Sequence, residues 1–93
     1  MNWVYNPEFS LTQNYPNPFN PSTKIRFSIK ELSDIKLKVF NLLGKELAVL
    51  VEEQLPAGSY SVDFDGSELD SGTYFYQLNS SGKIISKKMI LVK

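Results

Sequence analysis

The chain of 93 residues contains no cysteine and no histidine. Without cysteine it can form neither a disulfide bond nor a thiolate nucleophile. Without histidine it lacks the general base of the common catalytic triads and a principal ligand of zinc sites. A Ser–Lys pair or a carboxylate dyad would remain for catalysis, but the acidic residues fall in predicted turns. We therefore expect a protein that is not an enzyme and that holds no cofactor or catalytic metal.

Long apolar stretches are also missing. No segment approaches the ~20 apolar residues that a membrane-spanning helix needs, and no signal peptide is recognisable. The apolar content of 42% is nevertheless that of a folded chain, and the length suits one domain with a single core. We expect no membrane span. If the protein is exported, the chain is a C-terminal piece of a parent that carried the signal peptide.

The ten basic and ten acidic side chains cancel, but they are distributed in blocks. Residues 24–45 carry six basic and two acidic side chains, residues 46–70 seven acidic ones, and residues 71–93 four lysines. We expect these blocks to lie on neighbouring strands and to complement each other, with a polar contact surface for a partner protein as the alternative. The basic residues form no dense cluster with interleaved aromatics, so we expect no nucleic-acid partner.

Apolar alternation with regularly spaced turn signals dominates the sequence, and helical periodicity is weak. Ile25, Phe27 and Ile29 alternate with polar residues, as in a strand with one wet face. Residues 47–51 are ambiguous, because a short helical turn competes with a strand in that continuously apolar run. Comparable patterns predict strands at residues 9–13, 23–29, 35–40, 47–51, 60–64, 74–78 and 83–92.

Seven strands without a convincing helix predict an all-β fold, namely a single immunoglobulin-like antiparallel β-sandwich with Greek-key connections. We assign this domain to residues 9–93 and residues 1–8 to an N-terminal linker or a cloning remnant. Near the first strand, we expect Phe9, Leu11 and Tyr15 to face inward. Leu69, Gly72 and Tyr74 resemble a tyrosine corner, in which the phenol hydroxyl bonds to the backbone a few residues upstream.

Two ligand sites are considered and judged weak. Residues 63–70 contain Asp-x-Asp-Gly, but the pattern departs from a calcium loop because position twelve is Tyr74 instead of a glutamate. We expect a simple turn there, with an adventitious cation site as the alternative. A carbohydrate site would use exposed aromatics such as Trp3 and Tyr5, whereas Tyr60, Tyr74 and Tyr76 are expected in the core.

The most informative segment is Asn14–Thr23, in which three of the five prolines fall within six residues among three asparagines and two aromatics. Proline fixes its own φ and restricts the residue before it. Asn14, Asn17 and Asn20 can hold tight turns by bonding their own backbone two residues on. We predict a stiff, kinked loop that enters a strand at Thr23, and we call it the proline loop.

Together with residues 72–78 and the terminal residues 87–93, the proline loop closely resembles the C-terminal sorting domain of the type IX secretion system of Bacteroidetes. The resemblance runs from about Phe9 to Lys93. It implies a non-catalytic signal that directs a larger, N-terminally fused cargo through the periplasm to the cell surface or medium. The implied partners are an outer-membrane translocon, a shuttle protein and a sortase-like peptidase. Cleavage would fall around or before residues 2–8.

The resemblance also implies which residues take part in recognition, although most of them have a structural role as well. Gly44 stands in a turn where a positive φ is expected. The lysines of the last strand could serve only to discourage edge aggregation, but we expect Lys87 and Lys93 to project into solvent for recognition. The matched positions are Tyr15, Pro16, Asn17, Pro18, Gly44, Gly58, Tyr60, Gly72, Tyr74, Lys87, Lys88 and Lys93.

Two alternatives to a sorting signal remain open from the sequence. One is a passive immunoglobulin-like module that resembles the C-terminal sandwich of flagellar hook-capping proteins, which shares the Leu-x-x-Gly-x-Tyr pattern. The other, less favoured, is a carbohydrate-binding module.

Overall fold

The structure is a computed structural model that describes residues 8–93. These residues form seven β-strands in the order β1 (Ser10–Leu11), β2 (Ser22–Ile29), β3 (Ser33–Phe40), β4 (Glu46–Leu55), β5 (Gly58–Asp65), β6 (Gly72–Ser80) and β7 (Lys83–Leu91). The predicted all-β class and the seven predicted strands are therefore confirmed. None of the residues described here forms a helix long and apolar enough to cross a membrane.

The strands form two antiparallel sheets. One has three strands in the order β1-β2-β5, and the other has four in the order β4-β3-β6-β7. The buried side chains of both sheets make up one hydrophobic cluster. The core therefore lies between the inward faces of the two sheets.

Alternation in β2 and β3 explains why these segments are strands. In β2, Ile25, Phe27 and Ile29 are almost completely buried, whereas Lys24 and Arg26 are exposed. β3 repeats the pattern with its own three buried apolar residues at Ile35, Leu37 and Val39. Because successive side chains of a strand point to opposite faces, each strand covers the core with one face and leaves the other to solvent.

β4 is longer than the predicted 47–51 and contains no helical turn. Its pairing with β3 shifts register twice, between Leu37 and Lys38 and between Val39 and Phe40. A β-bulge sets two residues against one and so interrupts the alternation of faces. The two irregularities account for the continuously apolar run that made this element ambiguous in the sequence.

The prediction that Tyr15 faces inward is wrong. Its side chain is 82% exposed, whereas Leu11 is buried and Phe9 packs partly against the core as expected. The backbone N–H groups of Tyr15 and Lys24 each donate to the other's carbonyl oxygen at 3.0 Å. Directly paired residues project their side chains from the same face of a sheet. Tyr15 therefore lies on the solvent face beside Lys24.

Charged blocks meet on neighbouring strands as predicted. The Lys38 ammonium lies 2.9 Å from the Glu46 carboxylate between β3 and β4, and Lys24 lies 3.7 Å from Asp63 between β2 and β5. The hydrogen bond from Lys38 to Glu46, together with the charge of that carboxylate, raises the pKa of Lys38. Exposed pairs of this kind contribute little stability, so the core carries most of it.

Two tyrosines fasten turns to the strands that follow them. The Tyr74 hydroxyl donates to the Asp70 carbonyl oxygen at 2.6 Å, which is the bond expected of the predicted corner. The Tyr60 hydroxyl makes an equivalent bond to the Pro56 carbonyl oxygen at 2.6 Å. Both bonds span four residues and hold the chain where it enters β5 and β6.

Phe27→Ala should lower the free energy of unfolding by about 3–5 kcal/mol, because it removes a buried ring from the centre of β2. Phe27 is 2% exposed, and its ring stacks on Tyr60 with centroids 5.3 Å apart. Urea denaturation measures the change. Leu43→Ala is the matched control, since Leu43 is 93% exposed and should change stability by less than ~0.5 kcal/mol. Equal losses in the two variants would show that the core is elsewhere.

Candidate recognition surface

The proline loop pairs with β2 at Tyr15 and with β7 at Phe19. Asn14 and Phe19 are buried, and Pro16, Asn17 and Pro18 between them are exposed. The peptide bonds that precede Pro16, Pro18 and Pro21 are cis. The loop thus has two buried anchors and an exposed turn between them.

The first anchor is a closed set of polar contacts around Asn14. The Asn14 amide donates to the Pro16 carbonyl oxygen at 3.1 Å and to the Thr23 hydroxyl at 3.0 Å, and that hydroxyl donates to the same Pro16 carbonyl at 2.8 Å. The bond from Asn14 to the backbone two residues on confirms the predicted turn. Because these polar groups satisfy one another, their hydrogen bonds hold both ends of the loop together.

The hydroxyl of Tyr76 fixes the entry to the loop from the opposite sheet. It donates to the Thr12 carbonyl oxygen at 2.6 Å and accepts from the Asn14 backbone N–H at 2.8 Å. The Tyr76 side chain is fully buried. Burial raises the pKa of Tyr76 to about 12, although the hydrogen bond from Asn14 opposes the shift. The phenol therefore stays protonated at neutral pH and keeps both bonds.

The second anchor, Phe19, pairs with the C-terminal strand. The Phe19 N–H donates to the Ile90 carbonyl oxygen at 2.9 Å, and the Val92 N–H donates to the Phe19 carbonyl oxygen at 2.9 Å, in a parallel bridge with Leu91. The Asn17 side-chain oxygen accepts from the Ile90 N–H at 2.9 Å. The Asn17 side chain therefore bonds to the terminal strand and does not hold a local turn as predicted.

The Phe19 ring fills the end of the sandwich. It is 1% exposed and lies edge-on to Phe64, with centroids 6.1 Å apart. Gly66 leaves room for it, since a Cβ at that position would lie 3.2 Å from both Phe19 Cε2 and Leu91 Cδ2. Sequence reasoning missed both residues. The only sequence feature that could have pointed to Phe19 was the position of this aromatic residue between two prolines.

The terminal lysines have three different environments. Lys88 is exposed, and Gln13 donates its amide to the Lys88 carbonyl oxygen at 2.7 Å. Lys93 is exposed as expected, but its ammonium donates to the Ser67 carbonyl oxygen at 2.6 Å. Lys87 differs from the expectation because it is half-buried: it pairs with Tyr76, and paired residues share the inward face of the sheet.

The matched glycines lie in turns and at strand starts. Gly44 has a φ of 83°, which confirms the predicted positive value, and it lies within a turn in which the Asn41 side chain accepts from two backbone N–H groups. Gly72 pairs with Leu91 of β7, close to the proline loop. Gly58 begins β5 and pairs with Ile29, at the end of β5 away from the loop. The structure therefore brings together the loop, Gly72 and the terminal strand, but leaves Gly44, Gly58 and Tyr60 elsewhere.

The acidic segment 63–70 consists of the end of β5 and the turn that follows it. The Asp65 carboxylate accepts from the Ser67 N–H at 2.9 Å, and the Leu69 N–H donates to the Gly66 carbonyl oxygen at 2.9 Å. In the part of the chain that the structure describes, no group of three or more acidic side chains could hold a metal ion. Trp3, Tyr5 and most of the expected cleavage segment lie outside the described residues.

Comparison with known families identifies the family to which the chain belongs. The family model of the secretion system C-terminal sorting domain matches residues 13–93. The chain belongs to this family. The resemblance carried by the proline loop and the terminal strand is therefore confirmed, and the match includes both anchors. Membership implies that this sorting domain is a signal for the type IX secretion system, which leads to the cell surface or the medium.

A solved structure shares the fold of the sorting domain. It is PorZ, described as an essential bacterial surface component of the type IX secretion system of the human oral bacterium Porphyromonas gingivalis. The alignment has a TM-score of 0.62 and 18% sequence identity, and it covers 87% of this chain. The chain spans about 11% of PorZ, so the likeness concerns a small part of that protein. No curated protein sequence matches the chain.

Tyr76→Phe should lower the free energy of unfolding by about 2 kcal/mol at pH 7, because two hydrogen bonds are lost and the buried Asn14 N–H is left unpaired. Tyr74→Phe is the matched control and should cost about 1 kcal/mol, since it removes one bond. Denaturant melts of the wild type and both variants measure these differences. Similar losses in both variants would contradict the role of the Tyr76 hydroxyl in fixing the entry to the proline loop.

The advantage of Tyr76 over phenylalanine should also depend on pH. The phenol ionises near pH 10.0 in the unfolded chain and only near pH 12 in the folded one. The unfolded state therefore binds fewer protons between these values, and stability falls as the pH rises. The difference between wild type and Tyr76→Phe should stay constant below about pH 10 and shrink between pH 10 and 12. A difference that does not change over this window would contradict the raised pKa.

Proposed function

We propose that residues 9–93 are a C-terminal sorting domain that directs a larger, N-terminally fused cargo protein through the type IX secretion system to the cell surface or medium. The observation that carries this proposal is the family match over residues 13–93 together with the pairing of the proline loop with β7. The two sequence motifs that mark the family lie next to each other in the fold, although Asn17 and Ile90 are 73 residues apart.

The domain acts as a folded signal and not as a catalyst. Its parent crosses the inner membrane, passes through the periplasm and meets the outer-membrane translocon and a shuttle protein. A surface sortase-like peptidase then removes the domain by cutting upstream of β1. These roles require a rigid surface and no reacting group, which agrees with the absence of histidine and cysteine from the sequence.

The fold that presents this signal is an immunoglobulin-like Greek-key sandwich. Support comes from the two non-consecutive pairings, β2 with β5 and β3 with β6, which join strands that are distant in sequence. Further support comes from the Tyr74 corner, a feature of such sandwiches.

The recognition surface consists of the exposed part of the proline loop and the terminal strand beside it. Pro16, Asn17 and Pro18 are exposed there, and so are Lys88 and Lys93. Gly44, Gly58, Tyr60, Gly72 and Tyr74 support the turns and strands that hold this surface. Lys87 covers the inward face with its aliphatic stem.

A fusion of residues 9–93 to a periplasmic reporter should be exported in a host with an active type IX system. The same fusion in a host that lacks the translocon is the control for leakage, and a reporter without the domain measures the background. Retention of the full fusion in the periplasm at normal expression would contradict the sorting function. It would favour a passive structural module.

Replacing Lys87, Lys88 and Lys93 with glutamine should reduce export but lower the free energy of unfolding by no more than about 1 kcal/mol, since one exposed hydrogen bond is lost and glutamine keeps part of the aliphatic stem of Lys87. The matched control replaces Lys30, Lys36 and Lys45, which are exposed on other parts of the chain and change the net charge equally. Export and melting temperature are measured for both. Normal surface delivery by the first variant would leave these lysines with a role in solubility only.

A further inference from the structure

Tyr15 contrasts with Asn17 of the same Tyr-Pro-Asn-Pro motif, because the fold uses the side chain of Asn17 but not that of Tyr15. Asn17 bonds β7 and the Pro16 carbonyl closes the Asn14 cluster. Tyr15 pairs with Lys24 through its backbone alone, and its ring is 82% exposed. No hydrogen bond or ring contact joins this side chain to the rest of residues 8–93. A large aromatic side chain left in solvent next to such a well-anchored backbone points to a binding role.

The Tyr15 ring borders a groove of about 410 Å³ on the outer face of the three-stranded sheet, lined by Thr12, Gln13, Tyr15, Lys24 and Arg26. Hydrogen bonds fix the backbone on both sides of the groove. Thr12 donates from its backbone and its hydroxyl to the Arg26 carbonyl oxygen at 3.0 and 3.1 Å, and Tyr15 is paired with Lys24. The groove is therefore preformed and needs no rearrangement of the backbone to accept a ligand.

The charge in this groove is positive and incompletely balanced. Within residues 8–93, no carboxylate forms an ion pair with Arg26, and its strand partner is Ser61. Lys24 has only the loose contact of 3.7 Å with Asp63, in which both side chains are largely exposed. A guanidinium group has a planar set of donors that fits a carboxylate in two parallel hydrogen bonds. The groove therefore offers an aromatic face beside a cation that is free to bind an anion.

We propose that this groove, which we call the Tyr15 groove, binds an acidic segment of a protein partner, with a carboxylate on Arg26 and an apolar part of the segment on the Tyr15 ring. The proposal rests on the sorting function and names the chemistry by which that signal is read. Tyrosine and arginine are the residue types that most often dominate the binding energy of protein–protein contacts. Binding of an anionic glycan is the competing outcome, which the comparison probes below distinguish.

Binding is tested with the whole 93-residue chain and acetyl-hexaglutamate amide as the probe, followed by NMR amide shifts. We expect shifts at Thr12–Tyr15 and Lys24–Arg26. Tyr15→Ala and Arg26→Gln should each weaken binding about tenfold, the size of a single hot-spot truncation. Asp63→Asn should strengthen it, because it removes the carboxylate that competes for Lys24. Raising the salt to about 1 M should abolish it, since the screening length falls to ~3 Å.

Hexaglutamine amide and a hyaluronate oligosaccharide are the comparison probes. Equal binding of hexaglutamine, hexaglutamate shifts confined to residues 87–93, or tighter binding of hyaluronate in the groove would each overturn the proposal. An unchanged affinity in Asp63→Asn would also count against it. Thermal melts of every variant check folding, and Tyr15→Phe, which keeps the ring, should bind as the wild type does.

The same variants in the reporter fusion separate this proposal from the sorting function. Tyr15→Ala combined with Arg26→Gln should reduce export about tenfold or more, whereas Leu43→Ala and Lys30→Gln, which alter an exposed apolar and an exposed cationic residue elsewhere, should not. Normal export of the double variant would overturn the groove while the sorting function stands. If the wild-type fusion is not exported, the sorting function fails, and the peptide titration alone decides the groove.

Discussion

The parallel pairing of Phe19 with β7 is the contact on which the rest of the surface depends. Two backbone hydrogen bonds of 2.9 Å join Phe19 to Ile90 and Val92, and the Phe19 ring closes the core beside Phe64. Without this pairing, the loop would have no second anchor and the edge of β7 would expose unpaired backbone groups, which invite aggregation. This one contact therefore stabilises the fold, covers the edge of β7 and fixes the conformation of the proline loop.

Gln13 connects the two regions that we propose as binding surfaces. It lines the Tyr15 groove and donates its amide to the Lys88 carbonyl oxygen. The groove on the three-stranded sheet and the lysine-bearing end of the four-stranded sheet are thus adjacent and held in register by a direct bond. A receptor that contacted both would bind a preorganised surface, and preorganisation lowers the entropy cost of association.

Alternation with regularly spaced turn signals was enough to predict seven strands, and proline spacing was enough to predict a stiff loop. The family was recognised from this loop together with residues 72–78 and 87–93. These features depend on local pattern, as in Ile25, Phe27 and Ile29. The orientation of Tyr15 could not be predicted, because it depends on a backbone pairing with Lys24 that no local pattern encodes. The same holds for Phe19, Gly66 and the inward position of Lys87, whose environments are set by residues far away in sequence. The candidate site is made mostly of such long-range contacts.

The bond between Asn17 and Ile90 spans 73 residues, and this separation has a consequence for biosynthesis. Long-range pairings form late, because the loop between them must first close. A polypeptide that ended within β7 before Ile90 would carry the six other strands but would lack the residues that pair with Asn17 and Phe19. The proline loop is therefore completed only after translation has passed Val92.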